Sequence, residues 1–298
     1  MGALDDFEGL DLRSDALKNQ FDQEAFSFNH SIDKLDLFTI DNIHALARKY
    51  ADCKHDYYIA HSATAPGAAF NSVPIASYRP DEALDQLESG SYRILLKRPE
   101  NHDARFRDLL DALFGQVVDR LGGLGGERVV RLEAGLFISS GATTTPCHFD
   151  PEIAFFTQIE GQKTYHVYSP SVMREAELER FYRSGGVTIA EVDLATRDPS
   201  REQVFALEPG KGLHQPQNAP HWVETGKSRS ISYSFVFETD ASRARGRVRA
   251  CNHYLRRLTL NPPLPGAYPR GDIVKSRAMG LALPIRRTLA DIVHKMRA

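Results

Sequence analysis

Short β-type segments follow one another from Arg128 to Thr239, and they constrain the fold more than any other feature of the sequence. Each segment is rich in β-branched and aromatic residues and is separated from the next by turn residues. The predicted strands are 129–132, 136–139, 153–159, 164–168, 187–192, 204–207 and 230–237, with a helical insert over 171–182. Many short strands in one stretch are typical of a closed or sandwiched antiparallel sheet, so we expect a barrel or a jelly roll.

Helical and mixed elements precede this region. Apolar residues recur with helical spacing over Ala104–Leu121, and four of the next five residues are glycine. This pattern predicts a buried helix that ends at the glycines, because no phosphate-binding motif accompanies them. A second helix is predicted after Thr39, its N-cap, and a strand at Tyr57–His61. Residues 1–25 lack apolar periodicity, so we expect a loosely held arm there.

The overall composition is that of a globular protein. The 298 residues are 42% hydrophobic and 26% charged, which excludes wholesale disorder. No run approaches the roughly 18 apolar residues of a membrane helix, and no signal-peptide pattern is present, so we expect a soluble, cytoplasmic protein without membrane association. Cys53, Cys147 and Cys251 form no CxxC pair, so neither a disulfide framework nor a zinc ribbon is expected.

The net charge of −2 hides an asymmetry along the chain. Residues 241–298 carry 13 Lys/Arg and two Asp, or +11, whereas residues 1–240 carry −13. Such a basic tail indicates either charges paired within the molecule or a surface for nucleic acid or an acidic protein. The tail is predicted to contain helices near 248–258 and over 285–296, with a proline-rich linker between them. The last helix has one apolar face, formed by Ile285, Leu289, Ile292, Val293 and Met296.

The tripeptide His148-Phe149-Asp150 is the strongest chemical signal in the sequence. Residues two apart on a strand point to the same side, so His148 and Asp150 can bind one metal ion. A second histidine would complete the facial set of two imidazoles and one carboxylate used by non-haem Fe(II) oxygenases. His221, just before the strand at 230–237, is the favoured third ligand. His214 is the alternative, and we leave open whether it contributes to the site.

Together with residues 155–163 and 220–224, this motif resembles the JmjC/cupin-type Fe(II)- and 2-oxoglutarate-dependent oxygenases. Among them, the chain resembles the asparaginyl hydroxylase of hypoxia-inducible factor, over residues 90–240. The resemblance implies a mainly β fold, with a double-stranded β-helix (jelly-roll or cupin) core, flanking helices and a C-terminal helical extension. It divides the chain into an N-terminal helical and mixed segment (1–90), a catalytic domain (91–240) and an Arg-rich extension (241–298).

The resemblance also implies roles for individual residues. The iron ligands of the family fall on His148, Asp150 and His221, and its co-substrate threonine and lysine fall on Thr145 and Lys163. A lysine and a hydroxyl inside the barrel suit the far carboxylate of 2-oxoglutarate. Ser234 is a further candidate for contact with the co-substrate. Ala154 and Ser234 stand about where that hydroxylase has amides near the metal, which leaves the substrate undetermined.

These features predict a 2-oxoglutarate-dependent dioxygenase, a hydroxylase of a protein, peptide or small molecule, with Fe(II) as cofactor and 2-oxoglutarate as co-substrate. One alternative is a metal-binding cupin that does not use 2-oxoglutarate, such as an isomerase or another dioxygenase. Another is a non-enzymatic cupin-fold binding module with a basic tail. We expect a homodimer through the C-terminal helices, because their apolar face needs a partner surface. Nucleic acid is a less favoured partner.

Overall fold

The computed structural model describes residues 8–12, 14–61, 65–68, 78–87, 90, 92–185 and 190–297, with the side chains of 14, 16, 61 and 286–297 left aside. The strands are β1 Leu10–Asp11, β2 Phe26–His30, β3 Tyr57–His61, β4 Tyr92–Lys97, β5 Val129–Ser139, β6 Thr144–Phe149, β7 Ile153–Glu160, β8 Lys163–Tyr168, β9 Ala190–Glu191, β10 Glu202–Leu207, β11 Lys211–Gln215, β12 His221–Thr225 and β13 Ser230–Thr239. The helices are α1 Ser14–Gln20, α2 Ile40–Arg48, α3 Pro80–Asp85, α4 Ala104–Leu121, α5 Glu175–Tyr182, α6 Asp240–Arg257 and α7 Pro269–Arg297.

Two antiparallel sheets form the core and confirm the predicted mainly β, jelly-roll fold. The larger sheet has the strand order β1-β2-β11-β7-β13-β5-β4-β3, and the smaller has the order β10-β8-β12-β6-β9. A cluster of apolar side chains from both sheets fills the space between them. Its members include Phe156 and Leu213 of the larger sheet and Tyr165, Val167 and Val223 of the smaller one. The two sheets therefore face each other across a shared interior.

The register of β7 and β11 decides which side chains point into this interior. Leu213 lies opposite Phe156, and Gln215 lies opposite Ala154. Since paired residues of antiparallel strands project to the same face, Gln215 and Ala154 share the interior face with the core residues Leu213 and Phe156. The residues between them project to the opposite face of the sheet.

The N-terminal segment differs from the loosely held arm expected for residues 1–25. Leu10 and Asp11 pair with β2, which itself pairs with β11, and Leu17 of α1 is fully buried. The expectation was wrong because the segment contributes only isolated apolar side chains. Helix α1 contacts α4, and Phe21 of the same segment stacks on His214 of β11. No local periodicity records such distant contacts.

The limits of a helix were predicted correctly where residues of the local sequence mark its ends. Helix α4 has the predicted limits: the Asp103 side chain accepts a hydrogen bond from the Arg105 N–H at its start, and Gly122 adopts φ 74° at its end. Helix α2 likewise begins after Thr39. The predicted strands 129–132 and 136–139 are instead the single strand β5, because Gly135 stays in register with Lys97 of β4.

The chain divides into two compact units. The first comprises residues 1–126, 131–172 and 191–237, and the second comprises 127–130, 173–190 and 238–298. Helices α5, α6 and α7 belong to the second unit. The predicted helix at 248–258 begins earlier, at Asp240, and the one at 285–296 is the last part of the 29-residue α7. The predicted strand at 187–192 is described only at β9. The limits 1–90, 91–240 and 241–298 stay a prediction.

Arginines of α6 pair with acids of the same unit. Arg249 donates to Glu175 at 2.9 Å, and Arg256 donates to both carboxylate oxygens of Glu179 at 3.0 Å. Glu179 is almost fully buried, so its charge requires a cationic partner. Part of the basic charge of the tail is thus neutralised inside its own unit.

Among the described helices, none is both long and apolar enough to cross a membrane.

Candidate metal centre

Adjacent strands of the smaller sheet bring three candidate ligands together. His221 on β12 lies directly opposite His148 on β6, and their ring centroids are 4.1 Å apart. Asp150 follows the end of β6, with its carboxylate oxygens 3.9 Å from Nε2 of His148 and 3.7 Å from Nε2 of His221. One potential ligand atom from each residue lies within 4.8 Å of the others, and no other such group occurs among the described residues. We call these three residues the metal triad.

Backbone carbonyls fix which imidazole nitrogen is available to a metal. Nδ1 of His148 lies 2.8 Å from the Pro146 carbonyl oxygen, and Nδ1 of His221 lies 3.1 Å from that of Ala219. A carbonyl only accepts hydrogen bonds, so each Nδ1 carries the proton and each Nε2 keeps its lone pair. Burial, reinforced by the neighbouring His148, lowers the pKa of His221 to about 3, so this ring is neutral at physiological pH. The donor set fits a divalent metal ion.

The turn at 216–219 holds two members of the metal triad. The N–H of Asn218 donates to the carbonyl of Asp150 at 2.8 Å, and the Ala219 carbonyl accepts from Nδ1 of His221. Asn218 adopts the left-handed conformation, with φ 63°, which asparagine tolerates better than most residues. The turn therefore sets the positions of Asp150 and His221 relative to each other.

The N-terminal segment supports this turn. The Asp22 carboxylate accepts from the backbone N–H of Gln217 at 2.8 Å, and the Gln217 side chain donates to the Pro151 carbonyl at 2.6 Å. The segment that the sequence marked as a loose arm thus contacts the loops that carry the candidate ligands.

His214 lies on the other face of the larger sheet, away from the metal triad. It pairs with Phe155 on β7, whose side chain projects opposite to Phe156 and the interior. Aromatic rings surround it, namely those of Phe21, Phe26 and Phe155. Its Nε2 accepts from the backbone N–H of Asp22 at 3.1 Å, and burial lowers its pKa to about 3. His214 is a neutral core residue that anchors the N-terminal segment.

Lys163 is buried at the start of β8 and faces the interior. Its Nζ lies 5.3 Å from the ring centroid of Phe156 and 5.7 Å from that of Phe137. In the described part of the chain, no carboxylate pairs with its ammonium group. Desolvation, with a smaller contribution from the charge of Arg93, lowers the pKa of Lys163 to about 7. A buried ammonium group without an acidic partner suits a bound anion, which would supply the missing charge.

Thr145 and Arg93 belong to the same interior. Arg93 on β4 donates to Oγ1 of Thr145 at 2.7 Å and to the Thr144 carbonyl at 3.2 Å. Because Oγ1 accepts from Arg93, the hydroxyl proton of Thr145 is directed to another acceptor. Ser234 on β13 lies opposite Phe156, so it also faces the interior and is buried. The structure therefore places the three predicted co-substrate residues, Thr145, Lys163 and Ser234, around one space.

Three interior residues were not identified from the sequence: Arg93, Tyr165 and Gln215. Arg93 sits in a strand whose alternate residues Tyr92, Ile94 and Leu96 are buried on the opposite face. That alternation is a recognisable strand signal and would have placed Arg93 on the other face. Tyr165 stacks on His221, with ring centroids 5.3 Å apart and planes 13° apart. Nothing in the local sequence marks Tyr165 or Gln215 as a site residue.

The lowered pKa of Lys163 predicts a pH dependence of anion binding. Below pH 7 the amine is an ammonium ion that attracts a carboxylate, and above pH 7 it loses its proton. Calorimetric titration of the metal-loaded protein with 2-oxoglutarate should show an affinity that falls as the pH rises through about 7 towards 9, by up to about tenfold per unit. Lys163→Met should remove this dependence, whereas an equal dependence in that variant would assign it to another group.

Comparison with known proteins agrees with this geometry. Residues 127–244 match the sequence profile of the JmjC domain. The structure of YcfD, a ribosomal oxygenase from Escherichia coli, in complex with cobalt and 2-oxoglutarate superimposes with a TM-score of 0.51 at 18% identity. The match covers 92% of this chain and 67% of that one. A second structure of E. coli YcfD matches with a TM-score of 0.50 at 17% identity, covering 92% and 68% of the two chains.

No curated protein is significantly similar to the chain in sequence. At 17–18% identity, the matches to YcfD establish a shared fold. The matched profile spans the strands that carry all three members of the metal triad, together with Thr145, Lys163 and Ser234. The resemblance stated from the motif at 148–150 is thereby confirmed: the chain contains a JmjC domain at residues 127–244, on a double-stranded β-helix core.

Proposed function

We propose that this protein is an Fe(II)- and 2-oxoglutarate-dependent oxygenase, a hydroxylase that acts on a protein, a peptide or a small molecule. The observation that carries the proposal is the combination of two groups in one interior. The metal triad offers two imidazole nitrogens and a carboxylate within 4.8 Å. The buried Lys163 offers an amine that no carboxylate of the described residues pairs with. This pairing suits a ligand that chelates a metal at one end and presents a carboxylate at the other.

In this proposal His148, Asp150 and His221 would hold the iron, which would bind the co-substrate and O₂. When bound, the iron would activate O₂, which is the oxidant, and 2-oxoglutarate would supply two of the four electrons as it is converted to succinate and CO₂. The chain itself positions and desolvates the reactants. The Pro146 and Ala219 carbonyls orient the two imidazoles, and the apolar interior excludes water.

Lys163, Thr145 and Ser234 bind the co-substrate in this proposal. The Lys163 ammonium pairs with the far carboxylate, and the Thr145 hydroxyl, already accepting from Arg93, donates to the same group. Arg93 adds a second positive charge near this end. The complex of YcfD with cobalt and 2-oxoglutarate supports this assignment, since that protein has the same fold and binds a divalent metal together with 2-oxoglutarate.

The proposal differs from its two rivals in a specific way. A metal-binding cupin that does not use 2-oxoglutarate has no need for a buried lysine facing the metal cavity. It also commonly uses a fourth His or Glu ligand, and the described residues offer only three ligands in this cluster. A non-enzymatic module with a basic tail would need free arginines, whereas Arg249 and Arg256 are paired within their own unit.

The proposal is tested by measuring succinate formed from 2-oxoglutarate by the iron-loaded protein, with and without ascorbate. We expect succinate that requires both Fe(II) and O₂, and a larger yield when the assay includes the fractionated lysate of a cell that contains the substrate. Mass spectrometry should then show the gain of one oxygen atom in one component. A protein that binds Fe(II) but forms no succinate above the metal-free control under any of these conditions would contradict the proposal.

We further propose that the protein forms a homodimer through its C-terminal helices and that it is located in the cytoplasm. Large apolar side chains are exposed in and before α7, and water contact with them is unfavourable. They are Leu258, Leu260, Leu264, Tyr268, Ile273, Val274, Leu281 and Ile285. Of the predicted apolar face, Ile285 is 62% exposed, and the side chains of Leu289, Ile292, Val293 and Met296 lie outside the described residues. A second copy of the same surface is the simplest partner.

Light scattering of the full chain checks the dimer. We expect a dimer for the unmodified protein and a monomer for the double variant Leu281→Glu/Ile285→Glu, because two charges would be buried at the interface. The matched control is Val204→Glu, which changes an exposed apolar residue of β10 and should leave the dimer intact. A monomeric unmodified protein, or a dimer that survives the double substitution, would rule out this interface.

A further inference from the structure

Gln215 is a buried polar side chain inside the barrel for which the proposed reaction has so far assigned no role. It is the last residue of β11 and is 1% exposed. It lies opposite Ala154, on the interior face that also carries Leu213 and Phe156. Because Ala154 has only a methyl group, it offers the Gln215 amide no polar side-chain partner.

The oxygen of the Gln215 amide accepts a hydrogen bond, whereas its nitrogen has no acceptor among the described residues. The hydroxyl of Tyr165 donates to Oε1 at 2.6 Å, and this bond fixes the orientation of the amide, since a buried phenol needs an acceptor. Nε2 is buried, and no group among the described residues accepts its hydrogens. A buried donor without a partner is unfavourable and uncommon in folded proteins, so an acceptor is expected when the protein functions.

The amide lies close to the metal triad. The ring of Tyr165, whose hydroxyl holds the amide, stacks on His221 with ring centroids 5.3 Å apart. Burial, with a smaller contribution from the Asp150 carboxylate, raises the pKa of the Tyr165 phenol. Lys163 is two residues before Tyr165 on β8, or roughly 7 Å further along the strand. Gln215 is therefore on the metal side of the cavity, and Lys163 is on the far side.

We propose that Nε2 of Gln215 donates a hydrogen bond to the metal-chelating carboxylate of bound 2-oxoglutarate. The role rests on the proposed function and deepens it, since it gives each end of the co-substrate its own protein donor. A carboxylate is the acceptor that matches this position, because an anionic oxygen bound to a cation accepts strong hydrogen bonds. Gln215 is then a specificity-determining residue for 2-oxo acids, and Tyr165 is its positioning residue.

The test compares two ligands of the Co(II)-loaded full chain by calorimetry. 2-Oxoglutarate has both the keto acid and the far carboxylate, whereas succinate lacks the keto acid. For Gln215→Met, a shape-preserving change, we expect the Kd of 2-oxoglutarate to rise about 10- to 100-fold and that of succinate to change less than twofold. Tyr165→Phe should give a smaller rise, because the amide is still present but no longer oriented. Gln203→Met, on the exposed strand β10, is the control.

Each alternative result contradicts the role. An unchanged Kd for 2-oxoglutarate in Gln215→Met would show that the donor is satisfied by something else, such as water. An equal loss for both ligands, with unchanged Co(II) binding, would place Gln215 at the far end or in a purely structural role. If the unmodified protein binds Co(II) but neither acid, the proposed function itself fails. If the unmodified protein binds both acids but Gln215→Met does not weaken 2-oxoglutarate selectively, the proposed function stands and the Gln215 role fails.

Discussion

Replacing His148, Asp150 or His221 by alanine should abolish tight Fe(II) binding and, with it, succinate formation from 2-oxoglutarate. The physical reason is that the metal triad supplies only three ligands, so each single loss leaves two, which cannot hold a labile divalent ion against water. The fold should persist, because these side chains lie at the end of the interior and their replacement by alanine removes no large apolar contact. Co(II) titration followed by visible absorption measures the binding directly.

The matched control for the triad is His166→Ala. His166 sits on β8 between Tyr165 and Val167 and faces away from the interior, where it stacks on Trp222. The His166→Ala variant should retain metal binding. His214→Ala should lower the melting temperature, because it removes a buried aromatic contact, and should still bind metal. Metal binding that is lost in His214→Ala but kept in His221→Ala would show that the third ligand is misassigned.

Lys163→Ala should weaken 2-oxoglutarate binding severely while leaving metal binding intact. A buried carboxylate that loses its only ammonium partner is destabilised by about 3–5 kcal/mol, or more than a hundredfold in Kd. Arg93 and Thr145 remain, so some affinity should persist at high co-substrate concentration. Calorimetry of the Co(II)-loaded protein with 2-oxoglutarate and with succinate gives the measurement, and both ligands should be affected because both carry the far carboxylate.

Lys211→Ala is the control for this variant, since Lys211 is an exposed lysine of β11 that donates to Asn29. It should bind 2-oxoglutarate like the unmodified protein. An unchanged affinity in Lys163→Ala would mean that the far carboxylate is not held at this residue. That result would favour the alternative interpretation, a metal-binding cupin that does not use 2-oxoglutarate.

The parts of the fold that could be predicted from the sequence are those with local causes. Helix α4 has an apolar stripe, an N-cap and a glycine stop within 20 residues, and its limits were predicted correctly. The proximity of His148 and Asp150 follows from the two-residue repeat of a strand and its end. His221 was favoured as the third ligand because it precedes the predicted strand at 230–237, and the family motif agreed. Its position opposite His148 depends on pairing between strands more than 70 residues apart.

The remainder depends on contacts that local sequence does not record. Strand β2 pairs with β11, about 185 positions later, so the N-terminal segment looked unstructured. The alternation of buried residues in β4 places Arg93 on the opposite face of the strand, but the local sequence does not show that β4 pairs with β5. Gln215 becomes a site residue because Ala154 is opposite it and Tyr165 reaches it from the other sheet.

The central claim is that one metal ion on His148, Asp150 and His221 is chelated by a 2-oxo acid held at its far end by Lys163. Anaerobic titration of the Fe(II)-loaded protein with 2-oxoglutarate, followed by visible absorption, tests it most directly. We expect a metal-to-ligand charge-transfer band that saturates at one equivalent, is absent in His221→Ala and appears only at much higher 2-oxoglutarate concentration in Lys163→Ala. Stoichiometric Fe(II) binding with no such band, or a band that is unchanged in His221→Ala, would contradict it.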